Sequence, residues 1–411
     1  MTLLTNLYKN RFIINAILIA VGYQLFTTII THLPFIDTFD QNYSIAYRAI
    51  TLFIAIFVII TNPVRIKYRH QIFIYLIIWI LYLIRVNYDL FIRIDSIQIP
   101  LQSKLYLSQF IIGSTFIPAI SILFSIHKID LHVLSSYIYR LLLFVIIIAV
   151  FSHLINPDKL SFYGRISLNK GQSPLVFGYY SSLLSLFSIH YLKNGINTKT
   201  QITLHWSILI IGIVGLGLSG SRGPAIAFIL ALLLPEIAKM RIKNIIYFAF
   251  LSFSLVLFST HYIRIATNLF PTLTYRLSEM FLLGDYGGRD IIYARGIQQI
   301  ADYPIFGNWF MFDLNYSVTN SAHNALIGAT MSLGVIVGVL FTYMYIWIIW
   351  KSIYFIKKGA YITPFCYAAL LSIFYSLFTG GDLIMKAEFN MFFLVILILG
   401  NKHNEHLLWS K

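Results

Sequence analysis

WSILIIGIVGLGLSGSRGPAIAFILALLLPEIA, Trp206 to Ala238, is the stretch that decides the fold. Two apolar runs meet at a short turn, Ser219-Gly220-Ser221-Arg222-Gly223-Pro224. Each run approaches the roughly 20 residues that a helix needs to cross a bilayer's hydrocarbon core. The first is therefore expected to cross outward, turn, and return as the second. Proline belongs in a first helical turn, where its missing N–H has no intrahelical partner. Ser219 or Ser221 is expected to cap that turn. Gly215, Ser219 and Gly223, spaced i, i+4, i+8, are expected to let neighbouring helices approach closely. The residue needing a further reason is Arg222, a charge placed where the two oily runs meet.

The same pattern fills the chain. Of 411 residues, 58% are hydrophobic and 11% charged, with mean hydropathy +0.78, whereas a soluble domain carries about 25% charged residues. Spans are expected near 12–30, 45–61, 71–86, 105–126, 138–155, 172–192, 203–219, 223–239, 244–262, 322–350, 361–379 and 387–401. That makes an all-α polytopic membrane protein of about twelve helices. The short alternating segments of a transmembrane barrel are missing. Lys9 and Arg11 precede an apolar run with no small-residue cleavage site, which reads as a first span and not a cleaved signal peptide. The single cysteine, Cys366, excludes an intrachain disulfide and argues against a thiolate-rich metal site.

The net charge of +15 follows the positive-inside rule and does not call for nucleic acid. With the N-terminus inside, Arg65, Lys67 and Arg69, Lys128, Lys193 and Lys199, Lys239, Arg241 and Lys243, and Lys351, Lys357 and Lys358 fall in cytoplasmic loops, and Lys402 and Lys411 in a cytoplasmic tail. The first outer loop, THLPFIDTFDQNYS, has no Lys or Arg. Three regions result: spans one to nine (1–262), a long outer loop (263–321), and spans ten to twelve with a short tail (322–411). In the outer loop Asp290 is expected to cap a short amphipathic helix, DIIYARGIQQIA, whose apolar face is Ile291, Ala294, Ile297 and Ile300–Ala301, and which Pro304 ends.

The outer side breaks the charge rule. Lys159, Arg165 and Lys170 precede span six, Arg222 opens span eight, and the long loop holds Arg264, Arg276, Arg289 and Arg295. Either these residues are ordinary solvated surface, or they face an anionic ligand. Helix N-termini favour the second reading, because their free N–H groups and positive dipole end attract anions. Span eight begins at Arg222. Span ten begins NSAHNALIGATMSLGVIVG, with Asn320 or Ser321 as cap and His323 in its first turn. Span six follows RISLNKGQSP, with Arg165 and Lys170 ahead of Pro174. A ligand with two adjacent negative charges suits such a cluster, since arginine's fork matches phosphate oxygens. Each residue also has a plainer role. Arg222 serves as an interfacial anchor, His323 as a helix-cap residue, Gly334 and Gly338 as helix-packing positions. Asp285 and Asp290 serve as turn and cap residues, and the other ten histidines are structural.

Three segments, in this order, resemble the O-antigen ligase and polymerase superfamily of bacterial envelope glycan assembly: SGSRGPAIAFILALLL, GGRDIIYARGIQQIADYPIFG with its Pro-x-x-Gly turn, and SAHNALIGATMSLGVIVGVLF. They lie within about 209–341. The resemblance implies a glycosyltransferase-C-like helical fold in the inner membrane, with transfer on the periplasmic face and no metal ion or cofactor. It implies a glycan donor on undecaprenyl diphosphate and an acceptor that is either another lipid-linked repeat unit or the lipid A-core, with a chain-length regulator as a protein partner. By motif match Arg222 and Arg289 hold the diphosphate and His323 acts on the acceptor hydroxyl or the diphosphate. Arg165, Lys170, Arg295, Asn324 and Asp290 complete the expected substrate-binding set, Asp290 being the alternative base. Arg165 ahead of Gly178 resembles the paired arginine-bearing outer loops of polymerases, which favours polymerase over ligase. A reading from another class, a secondary anion transporter, fits less well because the titratable cluster lies at the outer rim and not at the midplane.

Overall fold

The structure is a computed structural model that describes residues 2–31, 41–62, 70–93, 101–155, 161–162, 165–168, 173–194, 198–239, 267–282, 284, 288–310, 322–380 and 387–400. The protein is an all-α polytopic membrane protein. Eight described helices are long and apolar enough to cross a membrane: Asn10–Ile30, Tyr43–Thr61, His70–Ile92, Gln102–Lys128, Leu131–Ile155, Pro174–Asn194, Lys199–Leu218 and Val335–Lys358. Two shorter apolar helices, Thr363–Phe378 and Ala387–Leu399, fall on the last two expected spans, and Arg222–Lys239 falls on the eighth. The expected span 244–262 lies outside the described residues.

In chain order, α1 (Thr2–Ile17) and α2 (Tyr23–Thr31) are joined by a π-helical turn, Leu18–Gly22. α3 (Gln41–Thr61) is followed by α4 (His70–Asn87), which runs on through a second π turn, Tyr88–Ile92. A longer π segment, Phe110–Phe116, links α5 (Leu101–Gln109) to α6 (Ile117–Ser125). α7 (Leu131–Ile155) starts ahead of the expected 138 because Asp130 Oδ1 accepts the His132 and Val133 N–H groups at 2.9 and 3.2 Å. Next come α8 (Pro174–Asn194), α9 (Lys199–Leu218) and α10 (Arg222–Lys239). Thr198 and Gln201 open α9 with a reciprocal capping box. Two helices, α11 (Pro271–Leu282) and α12 (Arg289–Asp302), fall within the expected long loop. Last are α13 (Ala325–Leu333), α14 (Val335–Lys358), α15 (Thr363–Tyr375), which ends in a π turn at Ser376–Gly380, and α16 (Ala387–Leu399).

Apolar pattern decides position. α15 and α16 are almost wholly apolar, apart from residues such as Ser372, Glu388 and Asn390, and lie at the centre of the bundle, buried on all faces. α3, α4 and α14 keep large apolar residues such as Phe53, Ile84 and Ile336 on outward faces, as lipid contact requires. Small residues let α8 and α9 approach closely. A Cβ added at Gly215 would lie 2.6 Å from Ser181 Oγ, one at Gly178 would lie 2.8 Å from Ser219 Oγ, and one at Gly212 would collide with Ser185. Gly223 lies beyond the turn on α10, so the expected three-residue stripe is a pair on α9.

Span ten departs most from expectation. It is not one helix over 322–350: Gly334, at φ 85° and ψ 170°, separates α13 from α14. Only glycine adopts such a backbone readily. Gly334 therefore breaks the helix, and Gly338 is the packing position, set against Thr330 of α13. The Pro304–Gly307 turn docks into the break. Val335 N–H donates to the Pro304 carbonyl at 2.8 Å and Asn308 N–H to the Met331 carbonyl at 2.9 Å. A side chain at Gly334 would strike the Ile305 backbone and one at Gly307 the Ser332 backbone.

The break also explains the charges on α4. Span three was expected to end near residue 86 but runs to Ile92. Arg85 Nε donates to the Ser332 carbonyl at 2.9 Å, and its Nη2 donates to the Phe306 carbonyl. Asp89 accepts the Phe310 N–H at 3.0 Å, while Arg93 bonds Asn308 Oδ1 at 2.7 Å and stacks over Trp309 at 3.6 Å. Backbone groups freed at a buried helix break need protein partners; here Arg85 and Asp89 supply them and clamp the turn to the broken helix.

Candidate anion-binding site

Several helix ends gather around the α9–α10 turn. Gly220, at φ 56°, reverses the chain. Ser219 Oγ accepts the Ser221 N–H at 3.2 Å, and the Ser221 hydroxyl donates to the Ser219 carbonyl at 3.1 Å. The serines thus brace the turn itself. Arg222 follows at once as the first residue of α10, buried with 6% of its surface exposed, and Pro224 lies in the same first turn. A buried arginine at that depth is not a snorkelling anchor with its head in water.

Arg165 reaches the same place from a separate segment. A two-residue-per-strand antiparallel hairpin pairs Ser161 with Ile166 and Phe162 with Arg165, a small β element in a chain expected to be wholly helical. The Arg165 stem lies across Gly220, where an added Cβ would come within 2.8 Å of its Cδ. Glycine at 220 thus serves both the turn and the approach of the arginine.

α11 covers the turn from outside: Phe270, just ahead of it, packs on Gly217, and Thr272 packs on Gly220. This brings in Arg276, whose backbone carbonyl accepts from Arg222 Nη1 at 3.4 Å. Arg276 is also the charged neighbour of Arg165, where burial first and Arg276 second lower the guanidinium pKa. Arg276 was visible only as one basic residue of the long loop. The signal that could have singled it out is the amphipathic pattern of TLTYRLSEMF, which puts a helix beneath the loop.

Arg289 is the first residue of α12, after Gly288 in the left-handed region at φ 74°. Its Nη1 donates to the Phe378 carbonyl, in the π turn ending α15. Burial is the main cause lowering its pKa, and the neighbouring guanidiniums of Arg222 and Arg276 lower it further. Asp290 is therefore not the cap of α12; Gly288 holds that position, and Asp290 sits exposed in the first turn. That is the favourable place for an acid beside a helix dipole. Among the described ion pairs none joins Asp290 to Arg289. The face of α12 that packs is Ile292 and Gly296, whereas Ile291, Ala294 and Ile297 point outward.

His323 completes the cluster. The cap of α13 is Asn324, whose Oδ1 accepts the Leu326 and Ile327 N–H groups at 2.9 and 3.2 Å. Its Nδ2 donates to the Leu377 carbonyl at 3.1 Å, so one end of the Asn324 amide caps α13 and the other ties it to the π turn. His323 stands one residue ahead of the cap and not in the first turn, and the expected caps Asn320 and Ser321 lie outside the described residues. His323 is at φ 48°, the one non-glycine residue among the described residues with positive φ. Such a backbone costs about 1–3 kcal/mol and gathers at functional sites. Burial, then the Arg289 guanidinium, lower the imidazole pKa below its ordinary 6.5. His323 is neutral at pH 7 and able to accept a proton.

Of the residues singled out in the sequence, Arg165, Arg222, Arg289 and His323 are thus brought together, with Arg276 added. Asn324 supports the site through the backbone. Arg295 is exposed further along α12, and Lys170 and Asp285 lie outside the described residues. Positive charges held together under burial repel one another, and the cluster's natural complement is a ligand carrying two adjacent negative charges, with His323 placed to take a proton beside it. No family model matches the chain, and no curated protein matches it.

Proposed function

We propose that the protein is an integral membrane glycosyltransferase that polymerises undecaprenyl-diphosphate-linked O-antigen repeat units on the periplasmic face of the bacterial inner membrane. The observation that carries this reading is the convergence of Arg165, Arg222, Arg276 and Arg289 with His323 at the N-termini of α10, α12 and α13. The three sequence segments that resemble the superfamily supply Arg222, Arg289 and His323 in order. In this reading the chain has about twelve spans in a glycosyltransferase-C-like arrangement, with both termini in the cytoplasm. Arg165 arrives from a second outer segment, which favours the polymerase over the ligase that transfers the same donor to the lipid A-core.

The chemistry needs little beyond these groups. The guanidiniums and the free N–H groups of the helix ends hold the donor diphosphate. His323 takes the proton of an acceptor sugar hydroxyl. The hydroxyl oxygen attacks the anomeric carbon with inversion, the bond from that carbon to the diphosphate breaks, and undecaprenyl diphosphate leaves with its new charge stabilised by the arginines. No nucleotide is required, because the lipid diphosphate already activates the sugar.

Deletion of the gene is expected to give lipopolysaccharide with one repeat unit on the core. Bare core with accumulating lipid-linked polymer would make the protein a ligase, and unchanged lipopolysaccharide would remove it from O-antigen assembly. Orientation is checked separately. In a Cys366→Ser background, Gln298→Cys on α12 is expected to react with an impermeant thiol reagent in spheroplasts, and Lys358→Cys at the end of α14 to stay unlabelled. Both positions are exposed, so the reverse pattern overturns the topology.

A further inference from the structure

Away from the arginine cluster, a cavity of about 200 Å³ lies between the α1–α2 rod, α3, the Phe110–Phe116 π segment and the start of α16. Its polar lining includes Tyr23, Gln24, Tyr47, Arg48, Ser114 and Glu388. Beside it lies a more apolar groove of about 440 Å³, walled by Ile45, Leu52, Ile112 and Ile117. Arg48, Phe110 and Ser114 line both, so the two are chambers of one site.

The inner chamber holds an unmet demand. Gln24 is 4% exposed, and its Oε1 has no hydrogen-bond partner. A buried acceptor in that state calls for a donor. Glu388, 8% exposed, accepts the Tyr180 hydroxyl at 3.0 Å and lines the same chamber. At the junction, Arg48 Nη1 bonds the Tyr106 hydroxyl at 2.5 Å and its guanidinium lies 4.4 Å from the centre of the Phe110 ring. One side-chain bond uses one of five donors. Two π-helical segments, Leu18–Gly22 and Phe110–Phe116, line the chambers. Such bulges are rare and often mark functional places. The first carries the Leu18 carbonyl, which the Tyr47 hydroxyl takes at 2.6 Å.

We propose that the two chambers around Arg48 bind a membrane lipid whose headgroup carries both a phosphate and free hydroxyls, with the head against Gln24 and Glu388 and the chain in the Ile45–Ile117 groove. The hydroxyls donate to Gln24 Oε1 and the Glu388 carboxylate, and the phosphate sits at Arg48, where a cation stands between the polar and apolar chambers. A soluble sugar phosphate leaves the groove unused, and a choline headgroup brings a second cation beside Arg48 with no hydroxyl to donate. Glu388 leads through Tyr180 and Tyr179, rings 5.3 Å apart, to Tyr375, whose ring is 5.0 Å from that of Tyr179 and which neighbours Arg289. Packed tyrosines thus link the lipid site to the arginine cluster, but the lipid is recognised independently of any glycan transfer.

The full chain, reconstituted in phosphatidylcholine nanodiscs doped with phosphatidylglycerol and released for native mass spectrometry, is expected to retain phosphatidylglycerol about tenfold over its share, the ratio that one charge-assisted hydrogen bond supplies. Arg48→Gln is expected to abolish that enrichment, and Gln24→Leu, which removes the acceptor, to reduce it severalfold. Arg222→Lys should leave it unchanged. A glycolipid with hydroxyls but no phosphate should be retained less than phosphatidylglycerol, and inorganic phosphate should not displace the lipid. Equal retention of the two phospholipids, or enrichment surviving both Arg48→Gln and Gln24→Leu, overturns the proposal. So does displacement by inorganic phosphate, which would make this a site for the free anion. If Arg48→Gln does not fold, Gln24→Leu decides. Because retention is read without any glycan, failure here is separate from failure of the transferase reading.

Discussion

Arg222→Lys is expected to lose most glycan transfer while the protein inserts and elutes as before. Arg222 is buried at the first turn of α10, bonded to the Arg276 backbone and next to Arg289. Lysine preserves the charge but presents a point ammonium in place of a planar fork, so two parallel hydrogen bonds to phosphate oxygens become one. Loss of a hydrogen bond to a charged group amounts to about 1.5–3 kcal/mol, or roughly 10- to 100-fold in kcat/KM. An arginine whose role is to anchor a helix at the interface exchanges with lysine at little cost, since both stems reach water. The measurement is initial rate with purified protein and lipid-linked donor at matched concentration. Near-normal kcat/KM in the lysine variant would exclude phosphate recognition by Arg222.

The sequence made the spans legible because hydrophobic length is a coarse property that survives shifts of several residues. Helix breaks are finer. SLGVIVG reads as continuous apolar helix, and what ends α13 at Gly334 is the Pro304–Gly307 turn docking from about 30 residues upstream, held by Arg85 of another span. No local pattern encodes such a contact. The arginines were legible one by one from the outer-side placement that the charge rule predicts for them, and from the turn chemistry around Arg222. Their convergence depends on tertiary packing: the hairpin carries Arg165 over Gly220, and α11 brings Arg276 down on the same turn. Caps were misread by one to a few residues at α12 and α13. Both sequences, GGRD and NSAHN, offer several capping residue types in a row, and the choice between them depends on which backbone turn the neighbouring π segment accepts. The same ambiguity hid the left-handed backbone at His323.

That backbone separates the roles of His323. With Asn324 capping α13, His323 is not needed for the helix, and its φ of 48° opposes stability. His323→Gly is therefore expected to leave the folded protein as stable or about 1 kcal/mol more so, yet nearly inactive. General base catalysis contributes about 10²- to 10⁴-fold, so Ala, Gly and Gln at 323 should all lose turnover to that extent while donor binding persists. Glutamine is the sharpest of the three, because it keeps hydrogen bonding but cannot take up a proton. The pH profile adds an independent readout. In the free protein, burial and Arg289 hold the imidazole pKa below 6.5, so the acid limb of kcat/KM should lie below pH 6.5. A bound diphosphate offsets the guanidinium field, which favours the imidazolium, so the acid limb of kcat should lie at higher pH than that of kcat/KM. Removing one source of the depression, with Arg289→Gln, should likewise move the kcat/KM limb upward. If His323→Gln retains near-normal turnover, or if its residual activity keeps the same acid limb, His323 is not the base, and Asp290 becomes the residue to replace.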